Sequence, residues 1–351
     1  MKKWKLQIMA VGLLTAGILL TVFSGEASDF TLDGLLLCAE KVVPSLFPYM
    51  VISSLFVYSG LAAKLGRRIP AAAIFGLPAQ AGSSLILGAL CGFPVGAKTA
   101  VDLYKSGCVS KTEAEVLISV SNNTGPSFVV GIVGAIFWGS PAFGWAIYFF
   151  QILASVIAGL LVNRLIFPFK ASCLSGKTSS KAAPFSLLFS TAVSEAALSC
   201  LSVSGFVVFF YVIIRFITET FTGSPAAPLL PALLAACLEF TSGTAQSAGL
   251  GGAAGAFLSG FSVGWSGLSV FFQACSFALP AGLSLKRTAA TKALQGIFTG
   301  ILCMLYAAFF SISPPSVSVG TFFIEYTPGT AIMIFFLLFF LFFMLKPRKK
   351  S

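Results

Sequence analysis

Long apolar runs separated by short clusters of lysine and arginine constrain this 351-residue chain more than any other feature. Hydrophobic residues make up 57% of the sequence and charged residues 9%, whereas a soluble domain carries about 25% charged residues. At roughly 20 residues for each crossing, the chain has room for about eight to ten membrane segments. The sequence therefore predicts an all-α polytopic membrane protein in contact with a lipid bilayer. It excludes a water-soluble globular domain, a disordered chain and a nucleic-acid binder.

The net charge of +11 reflects membrane topology, because the basic residues lie between the apolar runs. We assume that two apolar stretches, 71–107 and 226–257, each enter and leave the membrane by the same face. All 22 lysines and arginines except Lys41 and Arg215 then fall on or near the cytoplasmic side. This arrangement predicts cytoplasmic N- and C-termini and two re-entrant helical hairpins, one from each face. Hairpins from opposite faces are typical of an inverted repeat.

The order of apolar segments predicts two similar halves, each with a long helix, a hairpin, an interrupted span and a further helix. The first apolar run fits either a retained anchor or a cleavable signal peptide, and we expect it to be retained. The predicted units are a signal-anchor helix at 1–30, a first repeat at 31–169 with a hairpin at 71–107 and a broken span at 114–138, a cytoplasmic basic loop at 170–184, a second repeat at 185–312 with a hairpin at 226–257 and a broken span at 258–285, and an outer loop and C-terminal helix with a basic tail at 313–351.

Four polar interruptions lie inside otherwise apolar segments, at 92–96, 121–126, 239–244 and 260–267. Irregular backbone survives inside hydrocarbon only where protein or a water-filled cavity satisfies its polar groups. The half-helix ends at such interruptions can bind ions and polar solutes. The sequence therefore predicts a site for a small polar or anionic solute where the interruptions meet. The alternative is that these clusters only join helices by hydrogen bonds.

The candidate binding residues are those of the interruptions and one neighbouring cation. They are Gly92, Phe93, Pro94, Gly96, Lys98, Asn122, Asn123, Thr124, Gly125, Glu239, Thr241, Ser242, Thr244 and Ser266. Lys98 is the only cation that the sequence places beside an interruption. We predict that it pairs with an anionic solute, and the alternative is that it reaches the cytoplasmic headgroups.

Two carboxylates, Glu195 and Glu239, are predicted to lie deep in the membrane and are candidates for a coupling ion, Na⁺ or H⁺. The alternatives are a packing role for Glu195 and bracing of the hairpin tip by Glu239. The chain has no histidine, and its eight cysteines form no CxxC spacing, so we expect no metal, no cofactor and no enzymatic activity. A GxxxG spacing at 251–255 predicts close helix packing and allows a homo-oligomer.

Three motifs in order, CGFPVGAK at 91–98, SNNTGP at 121–126 and EFTSG at 239–243, resemble those of the sporulation integral membrane protein YlbJ family. That family is grouped with the nucleoside-recognition, or Gate-domain, membrane proteins. The resemblance implies a fold similar to concentrative nucleoside transporters. It also implies an endospore-forming bacterium and movement of dipicolinic acid into the forespore, from a place in the cell membrane or outer forespore membrane. The alternatives are a carrier for nucleosides or related metabolites and a non-transporting scaffold needed for spore maturation.

Overall fold

The computed structural model describes residues 10, 13–14, 17–18, 20–61, 70–169, 184–220 and 229–312. Every regular element within these ranges is helical, which confirms the predicted all-α class. The predicted C-terminal unit at 313–351 lies outside the described residues. So do the basic loop at 170–184, except residue 184, and much of the predicted signal-anchor helix.

The first half of the described chain contains seven α-helices, some of which continue into π-helical turns. They are α1 (Ser24–Leu37) with a π-helical turn (Cys38–Val42), α2 (Val43–Tyr58), two 3₁₀ turns (Pro70–Phe75 and Ala79–Ala81), α3 (Gly82–Cys91), α4 (Val95–Lys105), α5 (Lys111–Ser121), α6 (Pro126–Phe128) with a π-helix (Val129–Phe137), and α7 (Pro141–Leu161) with a π-helical turn (Val162–Ile166).

The second half of the described chain contains six further helices in a similar order. They are α8 (Phe185–Thr220), α9 (Leu229–Leu238), α10 (Phe240–Leu250), α11 (Gly252–Trp265), α12 (Gly267–Ala278) and α13 (Lys286–Phe309).

Within the described ranges, five helical segments are long and apolar enough to cross a membrane, at 111–137, 141–166, 185–220, 252–278 and 286–309. Large apolar side chains remain exposed on them, including Phe149 at 62% and Phe209 at 62%. Many exposed apolar side chains on long helices are typical of a surface that contacts lipid. These properties support a multi-pass membrane protein.

Both stretches predicted as hairpins contain a pair of packed helices. In the first hairpin (α3 and α4), a Cβ added at Gly88 would lie 3.1 Å from Cα of Gly96. In the second hairpin (α9 and α10), a Cβ added at Gly243 would lie 2.5 Å from Cα of Ala236. Small residues therefore allow the two arms of each hairpin to approach closely.

Both predicted broken spans are interrupted helices. The first broken span (α5 and α6 with its π-helix) is interrupted at 122–125, and the second (α11 and α12) at Ser266. Ser266 has a φ of +70°, a left-handed conformation that ends α11. In each half of the described chain, a helix is followed by a pair of packed helices, an interrupted helix and a further helix.

The helix boundaries differ from the prediction in the second half. Helix α11 begins at Gly252 rather than at 258, because Gly251, with a φ of +66°, lets the chain turn directly after α10. The interruption predicted over 239–244 is confined to Glu239, and α10 runs through the rest. Gly260 and Gly264 lie inside α11 and pack against α13, where added Cβ atoms would lie 2.8 Å from the carbonyl oxygens of Thr299 and Gln295.

Candidate functional site

The tip of the first hairpin lies against the interruption of the first broken span. Gly92 has a φ of +78°, and a Cβ added there would lie 2.6 Å from the backbone nitrogen of Gly125. A Cβ at Gly96 would lie 2.1 Å from the carbonyl oxygen of Ser121. Only glycine fits at these positions, because any side chain would overlap the neighbouring backbone.

The tip of the second hairpin lies against the interruption of the second broken span in a similar way. A Cβ added at Gly267 would lie 2.9 Å from the carbonyl oxygen of Leu238 and 3.0 Å from Cα of Glu239. The hydroxyl of Ser262 donates a hydrogen bond to the carbonyl oxygen of Phe240 at 3.2 Å. Each hairpin tip is therefore fixed to the broken span that follows it.

The two halves meet at these four interruptions. The ring centroids of Phe93 and Phe240, one from each hairpin tip, lie 4.8 Å apart, and those of Phe128 and Phe240 lie 4.7 Å apart. The hydroxyl of Thr124 donates to the carbonyl oxygen of Val263 at 3.3 Å, which joins the two broken spans. The interruptions predicted from the sequence therefore form a single cluster of contacts.

One cleft opens directly at this cluster, and we call it the aromatic cleft. Its wall includes the predicted residues Gly92, Phe93, Thr124, Gly125 and Thr241, together with Ser127, Phe128 and Phe240. The remaining lining residues are the apolar side chains of Val42, Leu46, Val203 and Val207. The cleft thus combines phenyl rings and hydroxyl groups, and the described residues of its wall include no charged side chain.

A second cleft lies on the other side of the first hairpin tip, and we call it the lysine cleft. Its lining residues include Tyr58, Pro94, Lys98 and Asp102. Pro94 lines this cleft, whereas its neighbour Phe93 lines the aromatic cleft. The tip of the first hairpin therefore separates the two clefts.

The structure brings the candidates Lys98 and Glu195 together. The Lys98 ammonium forms an ion pair with the Glu195 carboxylate, and it donates to the Tyr58 hydroxyl at 3.3 Å. The Tyr58 hydroxyl in turn donates to Glu195. Lys98 thus has a protein carboxylate as its partner, and an anionic solute that pairs with Lys98 would compete with Glu195.

Glu239 is fully buried and caps the start of α10. Its carboxylate accepts hydrogen bonds from the backbone N–H groups of Thr241 at 3.0 Å and Ser242 at 2.8 Å. A carboxylate at this position satisfies the first amides of the helix and matches its positive end. This geometry favours the bracing role for Glu239. Thr244 lies deeper in α10 and donates to the carbonyl oxygen of Thr241 at 2.9 Å.

Side chains from α7 satisfy the backbone of the first broken span. The Gln151 amide accepts from the backbone N–H of Thr124 at 3.2 Å and donates to the carbonyl oxygen of the same residue at 2.7 Å. The Ser155 hydroxyl donates to the carbonyl oxygen of Val120 at 2.9 Å. The interruption is therefore held by its neighbours, as irregular backbone in a membrane protein must be.

Asn123 points to a residue that the sequence interpretation missed. Its Oδ1 accepts from the Lys292 ammonium at 3.1 Å and from the Gln295 amide at 2.8 Å. The prediction that Lys98 is the only cation beside an interruption is thus wrong. Lys292 follows Lys286 and Arg287 closely and looks like part of a basic loop, yet its side chain is buried in α13.

A signal for Lys292 exists in the sequence. Polar residues recur at helical spacing along α13, namely Thr288, Thr291, Lys292, Gln295 and Thr299, and all of them are buried. In a membrane helix, a polar stripe of this kind faces the protein interior.

The predicted residues Gly96, Asn122, Asn123, Glu239, Ser242, Thr244 and Ser266 lie outside the walls of both clefts.

Comparison with known proteins identifies one relative with the same overall extent. The sporulation integral membrane protein YlbJ of Bacillus subtilis (strain 168) is 26% identical in an alignment of 322 positions, gaps included, which covers 81% of this chain and 79% of the relative. The resemblance to the YlbJ family is thereby confirmed. No family model matches the chain, and no solved structure matches it. The likeness to YlbJ extends over both hairpins and both broken spans, since it covers most of the chain.

Proposed function

We propose that this chain is a membrane carrier for a small polar or anionic solute, which binds in the aromatic cleft. The observation that carries this proposal is the contact between the two hairpin tips, where Phe93 and Phe240 lie 4.8 Å apart beside the interruption at Thr124 and Gly125. Secondary transporters build their solute sites from interrupted helices at a repeat interface. Neither hairpin tip would need to meet the other in a protein that only anchors partners.

The wall of the aromatic cleft fits a planar solute with oxygen-bearing groups. The rings of Phe93, Phe128 and Phe240 can stack on an aromatic ring. The helical segment 126–137 begins at the cleft, and its positive end attracts anionic groups. Dipicolinic acid, the solute implied by the family resemblance, combines one aromatic ring with two carboxylates. We therefore propose it as the solute and sporulation as the setting, in accordance with the name of the Bacillus subtilis relative.

In this proposal the two halves form an inverted repeat, and the hairpins re-enter the membrane from opposite faces. The resulting fold would be similar to that of concentrative nucleoside transporters. The first hairpin tip would act as the movable wall, because it separates the aromatic cleft from the lysine cleft. Glu195 and Glu239 remain our candidates for a coupling ion, although Glu239 already binds two backbone amides.

The proposal is tested by uptake into proteoliposomes that contain the purified chain. We expect uptake of labelled dipicolinate that excess unlabelled dipicolinate inhibits and that excess nucleoside does not. The variant Phe240→Leu removes one ring and should raise the half-saturation concentration by about 2- to 10-fold, in line with an aromatic contact of about 0.5–1.5 kcal/mol. Phe261→Leu is the matched control, because that ring stacks on Phe257 and lines neither cleft.

Three results would overturn the proposal or change its solute. Inhibition by nucleosides alone would assign the cleft to a nucleoside carrier. Equal half-saturation concentrations for the wild type and Phe240→Leu would remove the aromatic cleft from the solute path. No uptake of either solute by a folded protein, with normal dipicolinate content in spores of a deletion strain, would favour a scaffold.

A further inference from the structure

Lys292 is a cation in the interior of the protein, close to an interrupted helix. Its side chain is 3% exposed. The ammonium donates to Asn123 Oδ1 at 3.1 Å and to Gln295 Oε1 at 2.8 Å. Within the described ranges, no carboxylate forms an ion pair with it. A buried charge without an opposite charge is unfavourable unless polar groups surround it, so its position requires an explanation.

The ammonium has oxygen partners that a free monovalent cation could also use. Its two partners are neutral amide oxygens, which are the type of ligand that proteins offer to alkali cations and ammonium. Helix α5 ends at Ser121, directly before Asn122 and Asn123, and the C-terminal end of a helix carries partial negative charge. The carbonyl oxygen of Val120 in the last turn binds the side-chain amide of Asn123 at 2.9 Å, which orients the Oδ1 atom.

The polar groups around this position are also fixed by one another. The Gln295 amide donates both to Asn123 Oδ1 at 2.8 Å and to the carbonyl oxygen of Gln151 at 3.0 Å. Gln151 in turn holds the backbone of Thr124. These hydrogen bonds link the interruption of the first broken span to α7 and α13 through Asn123, which also binds the Lys292 ammonium. Asn122 is the neighbour of Asn123 in the sequence. Its Oδ1 atom is buried and has no hydrogen-bond partner in the described part of the chain.

We infer that Lys292 is a tethered cation that occupies a monovalent-cation site at the interruption of the first broken span. In carriers with interrupted helices, such positions bind a free coupling cation. Here the amine is supplied by α13 as part of the chain. It joins α13 to the interruption without a free ion. The consequence for transport, that no Na⁺ is needed at this position, rests on the proposed function, but the cation site itself does not.

The inference is tested by replacing the tethered cation with a free one. Lys292→Ala would remove the ammonium and leave the two amide oxygens and an open space. We expect its unfolding temperature in detergent to be lower than that of the wild type in N-methyl-D-glucamine chloride. Addition of ammonium or methylammonium chloride at equal ionic strength should raise it in a saturable manner, by about 2–4 °C for each kcal/mol of binding free energy. Sodium chloride is measured in the same series.

Two variants serve as controls. Lys286→Ala removes an exposed lysine from the first turn of the same helix, and its unfolding temperature should not depend on the cation. Lys292→Met fills the space with a neutral side chain, so added cations should have no effect on it. All variants are purified in ammonium chloride, so that Lys292→Ala can fold with the cation supplied.

The outcomes decide the inference without a transport measurement. A cation-dependent unfolding temperature confined to Lys292→Ala supports it, even if uptake is never observed. The same temperature in all cations, or an equal response in Lys286→Ala or Lys292→Met, overturns it. A Lys292→Ala variant that stays unfolded in every cation also overturns it, because the supplied cation should restore the fold.

Discussion

Lys98 and Glu195, which lie 97 positions apart in the sequence, form an ion pair between the first hairpin and α8. Tyr58 of α2 hydrogen-bonds both partners. The cluster therefore ties one arm of the first hairpin to a long helix from each half. The two charged side chains are 24% and 37% exposed, so solvent or headgroups reach the pair.

Lys98→Ala and Glu195→Gln should each lower the free energy of unfolding. The decrease in the double variant should be smaller than the sum of the two single decreases. For a partly exposed pair, we expect a coupling free energy of about 1 kcal/mol or less. A double-mutant cycle, measured by denaturant unfolding in detergent, checks this value. In proteoliposomes the single variants should also change the rate of solute uptake, since the first hairpin is no longer held.

Arg215→Ala is the control for this cycle. Arg215 lies near Asp33 at 4.0 Å with a similar exposure, but neither residue lines a cleft. This variant should reduce stability slightly and leave uptake unchanged. Additive effects of Lys98→Ala and Glu195→Gln on unfolding would contradict the prediction.

Gly92→Ala should destabilise the protein more than Gly107→Ala. Both glycines have a positive φ, +78° and +73°, so each change introduces backbone strain of about 1–2 kcal/mol. Only at Gly92 does the added methyl group also meet the backbone of Gly125, which adds about 1–3 kcal/mol of overpacking. Thermal unfolding of the two variants measures the difference. Equal losses would show that the hairpin tip can move away from the broken span without cost.

Gly96→Ala and Gly205→Ala should change stability in opposite directions. Both positions lie within helices, where alanine is preferred to glycine by about 0.5–1 kcal/mol. At Gly205 no atom from another described part of the chain lies within 4 Å of an added Cβ, so this variant should be slightly stabilised. At Gly96 the methyl group overlaps the carbonyl oxygen of Ser121. The free-energy cost of this overlap should exceed the gain from the helix preference of alanine. A stabilised Gly96→Ala would argue against close packing of α4 on α5.

Glu239→Ala should reduce stability by about 1–2 kcal/mol, because two backbone amides of α10 lose their acceptor. Glu239→Gln keeps one acceptor oxygen and should lose less. The matched control is Ser110→Ala, which removes a helix cap at the start of α5 outside both clefts. A comparable loss of stability in both alanine variants would support the bracing role. Full stability of Glu239→Ala with abolished uptake would instead support the coupling role.

The positions of the interruptions could be predicted where local chemistry decides them. Pro94 directly precedes α4 and Pro126 is the first residue of α6, positions that proline favours because the first helical amides need no partner within the helix. The run at 121–126 is therefore recognisable without a partner. The Gly260 and Gly264 positions were less informative, because a glycine in a membrane helix serves close packing as readily as a break.

The identity of the contact partners could not be predicted in the same way. Lys292 binds Asn123 across 169 positions of sequence, and this contact depends on how α13 packs against the first broken span. The ion pair of Lys98 with Glu195 depends likewise on the arrangement of three helices. Charge and hydropathy place such residues along the chain, whereas packing determines which of them meet.

Two of the helix ends at the interruptions, the start of α10 and the end of α5, each have a side chain of opposite charge beside them. Glu239 supplies a negative group to the start of α10, and Lys292 supplies a positive group beside the end of α5. In a carrier, the empty site would then not depend on cargo to neutralise these dipoles. The protein with an empty site could then change between inward-facing and outward-facing states at little electrostatic penalty.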